Sequence, residues 1–260
     1  MGQAEGKADI STDASQYRIK SAYDALRLLE LIATSENWMN ASEIAALVGE
    51  NRNRVFRLLR TLEEAGYVRQ DPTTRAYQPT FKLVSLGYIV SRSGGFETQL
   101  LKTMGDLQKL CGETVYLVGH DGDHAVSLMS IESNHLNRIS MQPGTRWPLG
   151  YGAAGQALLL AAPNKEDYLA RHPEIRATWH RVEEQFRRDG VTFVDGRYDR
   201  INDDGIVAIG TPLASRSTGQ LLALAVTWPL ARETTTYDEV RRMLLDAVEE
   251  LGQTFTNNGA

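Results

Sequence analysis

Asn51-Arg52-Asn53-Arg54-Val55-Phe56-Arg57-Leu58-Leu59-Arg60-Thr61-Leu62 decides how the N-terminal part of this 260-residue chain folds. Val55, Leu58, Leu59 and Leu62 recur at i, i+3, i+4 and i+7, so a helix here buries one face. At roughly 100° per residue, Asn53, Arg57 and Arg60 fall on the opposite, outward face. Four arginines lie within these ten residues from Asn51 to Arg60, and no acid interrupts them. An arginine run on a helix is ordinarily a solvated face, so its surroundings decide what it does.

Just upstream, Asn40 offers a side-chain acceptor, Glu43 follows three residues later, and Ile44, Leu47 and Val48 are apolar ahead of Gly49. That pattern predicts a capped helix of about two turns ending at the glycine. Two short helices joined by a tight turn, the second with an apolar back and a cationic front, form a helix-turn-helix. Ala25, Leu28, Leu29 and Ile32 supply a third helix to close a small core. Beyond Gly66, Tyr67 to Gln70 and Ala76 to Gln78 flank Asp71-Pro72-Thr73-Thr74-Arg75, a strand-turn-strand pattern that would make a wing. Arg52, Asn53, Arg54 and Arg57 are the candidate contacts to double-stranded DNA, with Arg75 at the wing tip. Arg forks onto guanine, Asn onto adenine, and either holds phosphate.

Length favours two domains, because one typically takes about 100 to 150 residues. The hydrophobic share of 42% is ample for packed cores, and the net charge of −5 excludes a uniformly basic surface. Residues 18–80 hold nine Lys/Arg against eight Asp/Glu, and residues 81–260 hold 18 against 22, so attraction to DNA must be local. The single cysteine, Cys111, rules out an intramolecular disulfide framework and fits a reducing cytoplasm. A lone cysteine ending a helical pattern is ordinarily just packed. No apolar run approaches the roughly 20 residues that span a bilayer, and no signal-peptide core is present. The expectation is a soluble cytoplasmic protein without a membrane partner.

Residues 1–16, poor in apolar side chains, are expected to be a mobile tail, and residues 17–80 the winged helix-turn-helix. In 81–95 the segment Phe81 to Ser91 carries too many apolar positions for an exposed connector, so it is expected to be a linker helix packed on a partner subunit. Ser93-Gly94-Gly95 then ends it. Residues 96–257 alternate helix and strand signals. Leu100, Met104, Leu107 and Leu110 predict a helix; Thr114 to Gly119 and Ala125 to Ile131 predict strands around Asp121-Gly122. Gly152 to Ala162 and Ile175 to Arg188 predict helices. Ile206 to Leu213 and Leu221 to Trp228 predict buried strands around Ser217-Thr218-Gly219, before a closing helix with Val240, Leu244, Val248 and Leu251. Hairpins with flanking helices predict an α+β sheet domain.

Gly150-Tyr151-Gly152-Ala153-Ala154-Gly155 satisfies G-x-G-x-x-G, but a dinucleotide site also needs a central strand before it and an acid about 20 residues on. Pro143 and Pro148 disfavour that strand, and Ala170-Arg171-His172-Pro173 is no strand end, so no nicotinamide or flavin cofactor is expected. Two readings of the glycines stay open: a small carboxylate at a positive helix start, or close helix-sheet packing. His120-Asp121-Gly122-Asp123-His124 has metal-like composition, but its spacing across a tight turn spreads side chains to solvent, and no metal is expected. No nucleophile elbow, P-loop or zinc-hydrolase motif is present, and Glu183-Glu184 is expected to be a solvated pair. A metabolite-processing hydrolase or isomerase with an accessory DNA-binding head is the alternative to a sensor.

The order of these features resembles the IclR family of bacterial transcriptional regulators over about residues 17–256. The resemblance is carried by Arg57-Leu58-Leu59 with Leu62-Glu63-Glu64-Ala65-Gly66-Tyr67-Val68, by Trp147-Pro148-Leu149 ahead of Ala154-Gly155-Gln156-Ala157, by Arg188-Asp189-Gly190 leading to Gly205 to Leu213, and by Ala223 to Pro229. It implies a winged helix-turn-helix, a linker helix and a GAF-like effector domain, working as a homodimer or dimer of dimers whose operator binding responds to a small metabolite, an organic or aromatic acid. It maps the effector cavity to Leu149, Gly152, Ala153, Ala154 and Ala208, with Tyr151 beside them. It adds an acid from the loop before Gly205, with Asp199 the candidate and Asp195, Asp203 and Asp204 its competitors. The chain departs from the family pattern in having Gly150 and Gln156 where a His and a Lys are common, and Asn51-Arg52-Asn53-Arg54 where Pro-Lys-Ser-Thr is commoner.

Overall fold

A computed structural model describes residues 17–92, 97–196, 205–214, 220–232 and 234–257. The expected N-terminal tail, the Ser93-Gly94-Gly95 break, the Ser217-Thr218-Gly219 turn and Asp199, Asp203 and Asp204 lie outside them. The chain divides into two compact units between Ser91 and Arg92.

The first unit begins with α1 (Lys20–Thr34), α2 (Ala41–Val48) and α3 (Arg52–Glu64). Asn40 caps α2 by accepting from the backbone N–H of Ser42 and Glu43, while the Glu43 carboxylate accepts from the Asn40 N–H at 2.7 Å. Gly49 then leaves the helix at φ 67°, a left-handed conformation that favours glycine. Leu28, Leu29 and Ile32 of α1, Ile44 of α2, and Val55, Leu59 and Leu62 of α3 meet in one core. The expected inward residues Leu47 and Val48 are instead exposed, because Ala41 and Ala45 form the buried side of so short a helix.

The wing pairs β1 (Val68–Gln70) with β2 (Tyr77–Pro79), antiparallel. In its turn the Asp71 carboxylate accepts from the N–H of Thr73 and Thr74, bonds that hold it below the usual carboxylate range. Fully buried Tyr77 donates its N–H to the Met39 carbonyl at 2.9 Å, tying the wing to the α1–α2 connection. Next comes α4 (Lys82–Arg92), whose Lys82 donates to the Ala65 carbonyl at 2.7 Å and lies 4.4 Å from the Tyr67 ring centre. Phe81, Val84, Tyr88 and Ile89 stay exposed.

The second unit is built on six antiparallel strands in the order β5 (Arg146–Pro148), β4 (His124–Ile131), β3 (Thr114–Asp121), β8 (Leu221–Pro229), β7 (Ile206–Ala214), β6 (Thr192–Asp195). On one face α5 (Glu97–Cys111) and α9 (Tyr237–Asn257) pack Leu100, Met104, Leu107, Leu244 and Leu251 against Val115, Ile209 and Val226. On the other, α6 (Gly152–Ala161), α7 (Lys165–Arg171) and α8 (Pro173–Asp189) pack Leu149, Leu158, Tyr168 and Trp179 against Tyr116, Val118 and Ala225. Residues 146–148 and 192–195 are strands that the sequence pattern did not predict. Pro148 sits on the edge strand, where a missing N–H costs no ladder bond. Leu110, expected inward, is exposed at the end of α5. Among the described residues no helix is long and apolar enough to cross a membrane.

α6 touches the sheet through Gly210 of β7, where an added Cβ would lie 2.9 Å from the Ala153 carbonyl carbon. Backbone against backbone leaves no flexible atom to move. Gly210→Ala is therefore expected to push α6 off β7 and destabilise the second unit by about 1 to 3 kcal/mol, read as a lower urea midpoint; an unchanged midpoint would show that α6 shifts freely.

Candidate nucleic-acid interface and ligand site

Burial of Val55, Leu59 and Leu62 turns the other side of α3 to solvent. Arg52, Asn53, Phe56, Arg57 and Arg60 are exposed there, and the Asn51 side chain caps the helix start by accepting from the Asn53 N–H at 2.9 Å. The guanidiniums of Arg52 and Arg57 have no hydrogen-bond or ion-pair partner among the described residues. Arg60 pairs with Glu63 at 2.6 Å, and the other Glu63 oxygen accepts from the Gln70 N–H of β1 at 3.3 Å. Arg75 is exposed at the wing tip in a left-handed conformation (φ 61°), with the Gln70 amide donating to its carbonyl.

Arg54 departs from the expected DNA-facing set. Its guanidinium pairs with Asp24 of α1 and lies 3.7 Å from Glu50, so of the three helix arginines expected to contact DNA only Arg52 and Arg57 are free of a partner among the described residues. Its long side chain leans to the α1 side, away from the outward face. Phe56 is the residue that periodicity overlooked, being apolar yet exposed beside Arg52 and Arg57.

In the second unit the expected effector residues do not form one lining. Leu149 and Ala154 are fully buried in the cluster around Tyr168 and Trp179. The Leu149 carbonyl accepts from the Tyr168 hydroxyl at 2.6 Å, and burial pushes that phenol up to about 12. Ala153 and Ala208 pack instead with Val194 and Ile206. Tyr151 and Gly152 are half-buried at the start of α6, where the Tyr151 carbonyl accepts from the Trp147 indole at 3.1 Å. Gly155 would bring a Cβ to 3.1 Å from that indole nitrogen. Gly155 thus stands at a close contact, and Leu149, Ala153 and Ala154 are buried within two apolar clusters. Asp195, a competitor for the acidic role, pairs with Val207, on the face of β6 opposite Val194 and Ala208.

The open space lies next door. A cleft of about 650 Å³ is lined by Asn137, Ile139, Gly205, Ile206, Pro229 and Leu230, together with Ala231. Ile206 belongs both to this lining and to the Ala153–Ala208 cluster. No periodicity marks Asn137 and Ile139, which come from an irregular loop. That loop hangs from the start of β3: the Thr114 hydroxyl donates to the Ile139 carbonyl at 2.7 Å and accepts from the Ser133 N–H. Across the cleft, Arg232 donates to the Asn137 carbonyl at 2.5 Å and forms an ion pair with Glu113, which is 1% exposed. Thr235 donates to the same Glu113 oxygen at 2.8 Å. Burial raises Glu113 above the usual carboxylate range, with Thr235, Arg232 and His135 pulling it back. Gln156, where the family pattern has a cation, is buried with its amide oxygen unpartnered among the described residues.

The family model described as the IclR helix-turn-helix domain matches residues 25–72, and that described as bacterial transcriptional regulator IclR C-terminal matches residues 96–253. The chain belongs to the IclR family. It is a DNA-binding transcriptional regulator with an N-terminal helix-turn-helix and a C-terminal α+β domain. Among curated IclR relatives, the probable transcriptional regulator SauR of Cupriavidus necator is 25% identical over 93% of this chain and 99% of its own length. The transcriptional repressor IclR of Escherichia coli is 24% identical over 94% and 93%. The fold matches an IclR family regulator from Brucella abortus with TM-score 0.74 at 23% identity, covering 95% of this chain and 96% of that one. It also matches an IclR homolog from Microbacterium hydrocarbonoxydans, solved with 4-hydroxybenzoate, with TM-score 0.74 at 16% identity, covering 91% and 99%.

Other charged clusters of this IclR protein have structural work. Asp121 pairs with Arg146 at 2.6 Å and Asp123 with Arg171 at 2.8 Å, and among the described residues no three His, Cys, Asp or Glu side chains gather to hold a metal. Glu183, expected to be merely solvated, takes Lys165 at 2.7 Å and the Trp179 indole at 3.1 Å, pinning α7 to α8. Burial pushes the half-buried Cys111 thiol up, away from the reactive thiolate.

The Glu113 shift fixes a sign. A carboxyl whose folded pKa is raised gives stability that is present below its unfolded value, ordinarily about 4.3, and is lost as pH rises through the folded value. Glu113→Gln removes that titration. Wild type should lose ground to the variant in urea midpoint as pH climbs from about 4; a gap that widens in favour of wild type would mean that attraction to Arg232 outweighs burial.

Proposed function

We propose that Arg52, Asn53 and Arg57 read and hold operator DNA from the major groove, with Arg75 of the wing on a neighbouring phosphate or in the minor groove. The observation that carries this is that Arg52 and Arg57 stand on the outward side of α3 without a partner among the described residues, on a helix whose other side is locked into a core. Two heads are needed to read paired half-sites one helical turn or more apart. The exposed Phe81, just before α4, and Val84, Tyr88 and Ile89 within it support assembly as a homodimer or dimer of dimers, since such a row of apolar side chains is costly in water. The expected domain limits, 17–80, 81–95 and 96–257, are kept as part of this proposal.

The second unit is a sensor and not an enzyme, acting in the cytoplasm without a cofactor. Its ligand is a small organic or aromatic acid. The 650 Å³ cleft supports this: its volume falls within the range of about 300 to 1,000 Å³ of small-molecule sites, and it opens broadly to solvent over a lining with apolar Ile139, Ile206, Pro229 and Leu230. The 4-hydroxybenzoate complex of the Microbacterium homolog is in keeping with an aromatic acid.

Arg57→Ala is expected to weaken binding to an operator selected from genomic fragments by about 1 to 3 kcal/mol, measured by gel shift at fixed salt; equal affinity would remove Arg57 from base reading. For the sensor, a thermal-shift screen with aromatic acids should find one that raises the melting temperature of wild type. Ile206→Trp, filling the cleft, should abolish that shift while retaining DNA binding, and a shift that survives would place the ligand elsewhere.

A further inference from the structure

Arg54 lies in the first turn of α3 but keeps different company from its neighbours in sequence. At roughly 100° per residue it stands only about 60° around the helix from Arg57, yet its guanidinium is held by Asp24 of α1, with Glu50 alongside. The grip does not rest on deep burial, because the Arg54 side chain keeps 32% of its surface in solvent. Arg54 also borders a cleft of about 410 Å³ shared with Arg27, Leu31, Leu47 and Leu58. That cleft lies on the α1 and α2 side of α3, so the Arg54 side chain is not packed in on that side.

Affinity for duplex of arbitrary sequence comes from cations that displace counterions condensed on phosphate. An arginine already neutralised by an internal carboxylate must surrender that partner to reach DNA, so it adds little to this attraction. We propose that Asp24 competes with the DNA backbone for Arg54, withholding one phosphate-binding cation per head and so lowering the affinity for non-operator DNA. What a regulator needs is a high ratio of specific to non-specific binding. Removing one sequence-blind contact raises that ratio at no cost to base reading. Asp24 is thus a positioning residue, acting on DNA only through where it holds Arg54.

The inference rests on α3 being the DNA-contacting helix, and both are tested with full-length protein and a random-sequence duplex. The affinity is followed by fluorescence anisotropy between roughly 50 and 200 mM salt, and the slope of log K against log salt is compared. Arg54→Gln alone should leave the slope at its wild-type value. Asp24→Asn should steepen it by about 0.9 per head, and the double variant Asp24→Asn/Arg54→Gln should return to wild type. Glu30→Gln, which removes an exposed carboxylate from the same helix, should change nothing and so separates the contact from simple net charge. The proposal is overturned if Arg54→Gln flattens the wild-type slope, if Asp24→Asn leaves it unchanged, if the double variant stays steep, or if Glu30→Gln matches Asp24→Asn. Failure of the α3 reading itself looks different: Arg52→Ala and Arg57→Ala would then leave random-duplex binding as it was.

Discussion

Burial of Val55, Leu59 and Leu62 against α1 and α2 is the constraint on which the first unit depends. A 13-residue helix, Arg52–Glu64, is too short to persist alone in water, and tertiary packing makes it a helix at all. The same contact sets its rotation about its own axis, and that rotation decides which guanidiniums face outward. One apolar face therefore fixes both the stability of the head and which of its side chains face solvent. The capping box of Asn40 and Glu43 and the left-handed Gly49 serve this packing by holding α2 at the angle from which Ile44 reaches the core.

The second unit obeys a different constraint. Its sheet is covered on both sides, but unequally. Long aliphatic side chains from α5 and α9 fill one face, whereas α6 approaches the other so closely that Gly210 meets the Ala153 backbone. Close approach over β7 draws the helix down where side chains are small. Ile206 instead borders the cleft that the irregular loop carrying Asn137 and Ile139 also lines. That loop has no apolar repeat of its own and is held in place by hydrogen bonds to Thr114 and Arg232.

What could be read from the sequence follows from this contrast. Helix faces and hairpin strands with regular apolar spacing were legible, as were the capped α2, the wing and the α+β character of the second unit. Arg54 was misjudged because spacing gives an angle around a helix but not the reach of a long side chain toward an acid thirty residues earlier. Leu149 and Ala154 were assigned to a ligand by resemblance, yet the same small and apolar residue types serve equally as core. The strands at 146–148 and 192–195 are three and four residues long, too short for alternation to show. The loop side of the cleft depends on bonds between residues far apart in the chain, which no local pattern encodes.

Glu63 has a wider consequence through its two oxygens, one bound to Arg60 of α3 and the other to the Gln70 N–H of the wing. With Tyr77 also hydrogen-bonded to Met39, α3, the wing and the α1–α2 connection are tied to one another. These bonds oppose a change in the angle between α3 and the wing. Under the proposed docking of α3 and the wing, more of the cost of a good fit then falls on the duplex, which favours sites with pliable pyrimidine–purine steps over stiff ones with the same contacted bases.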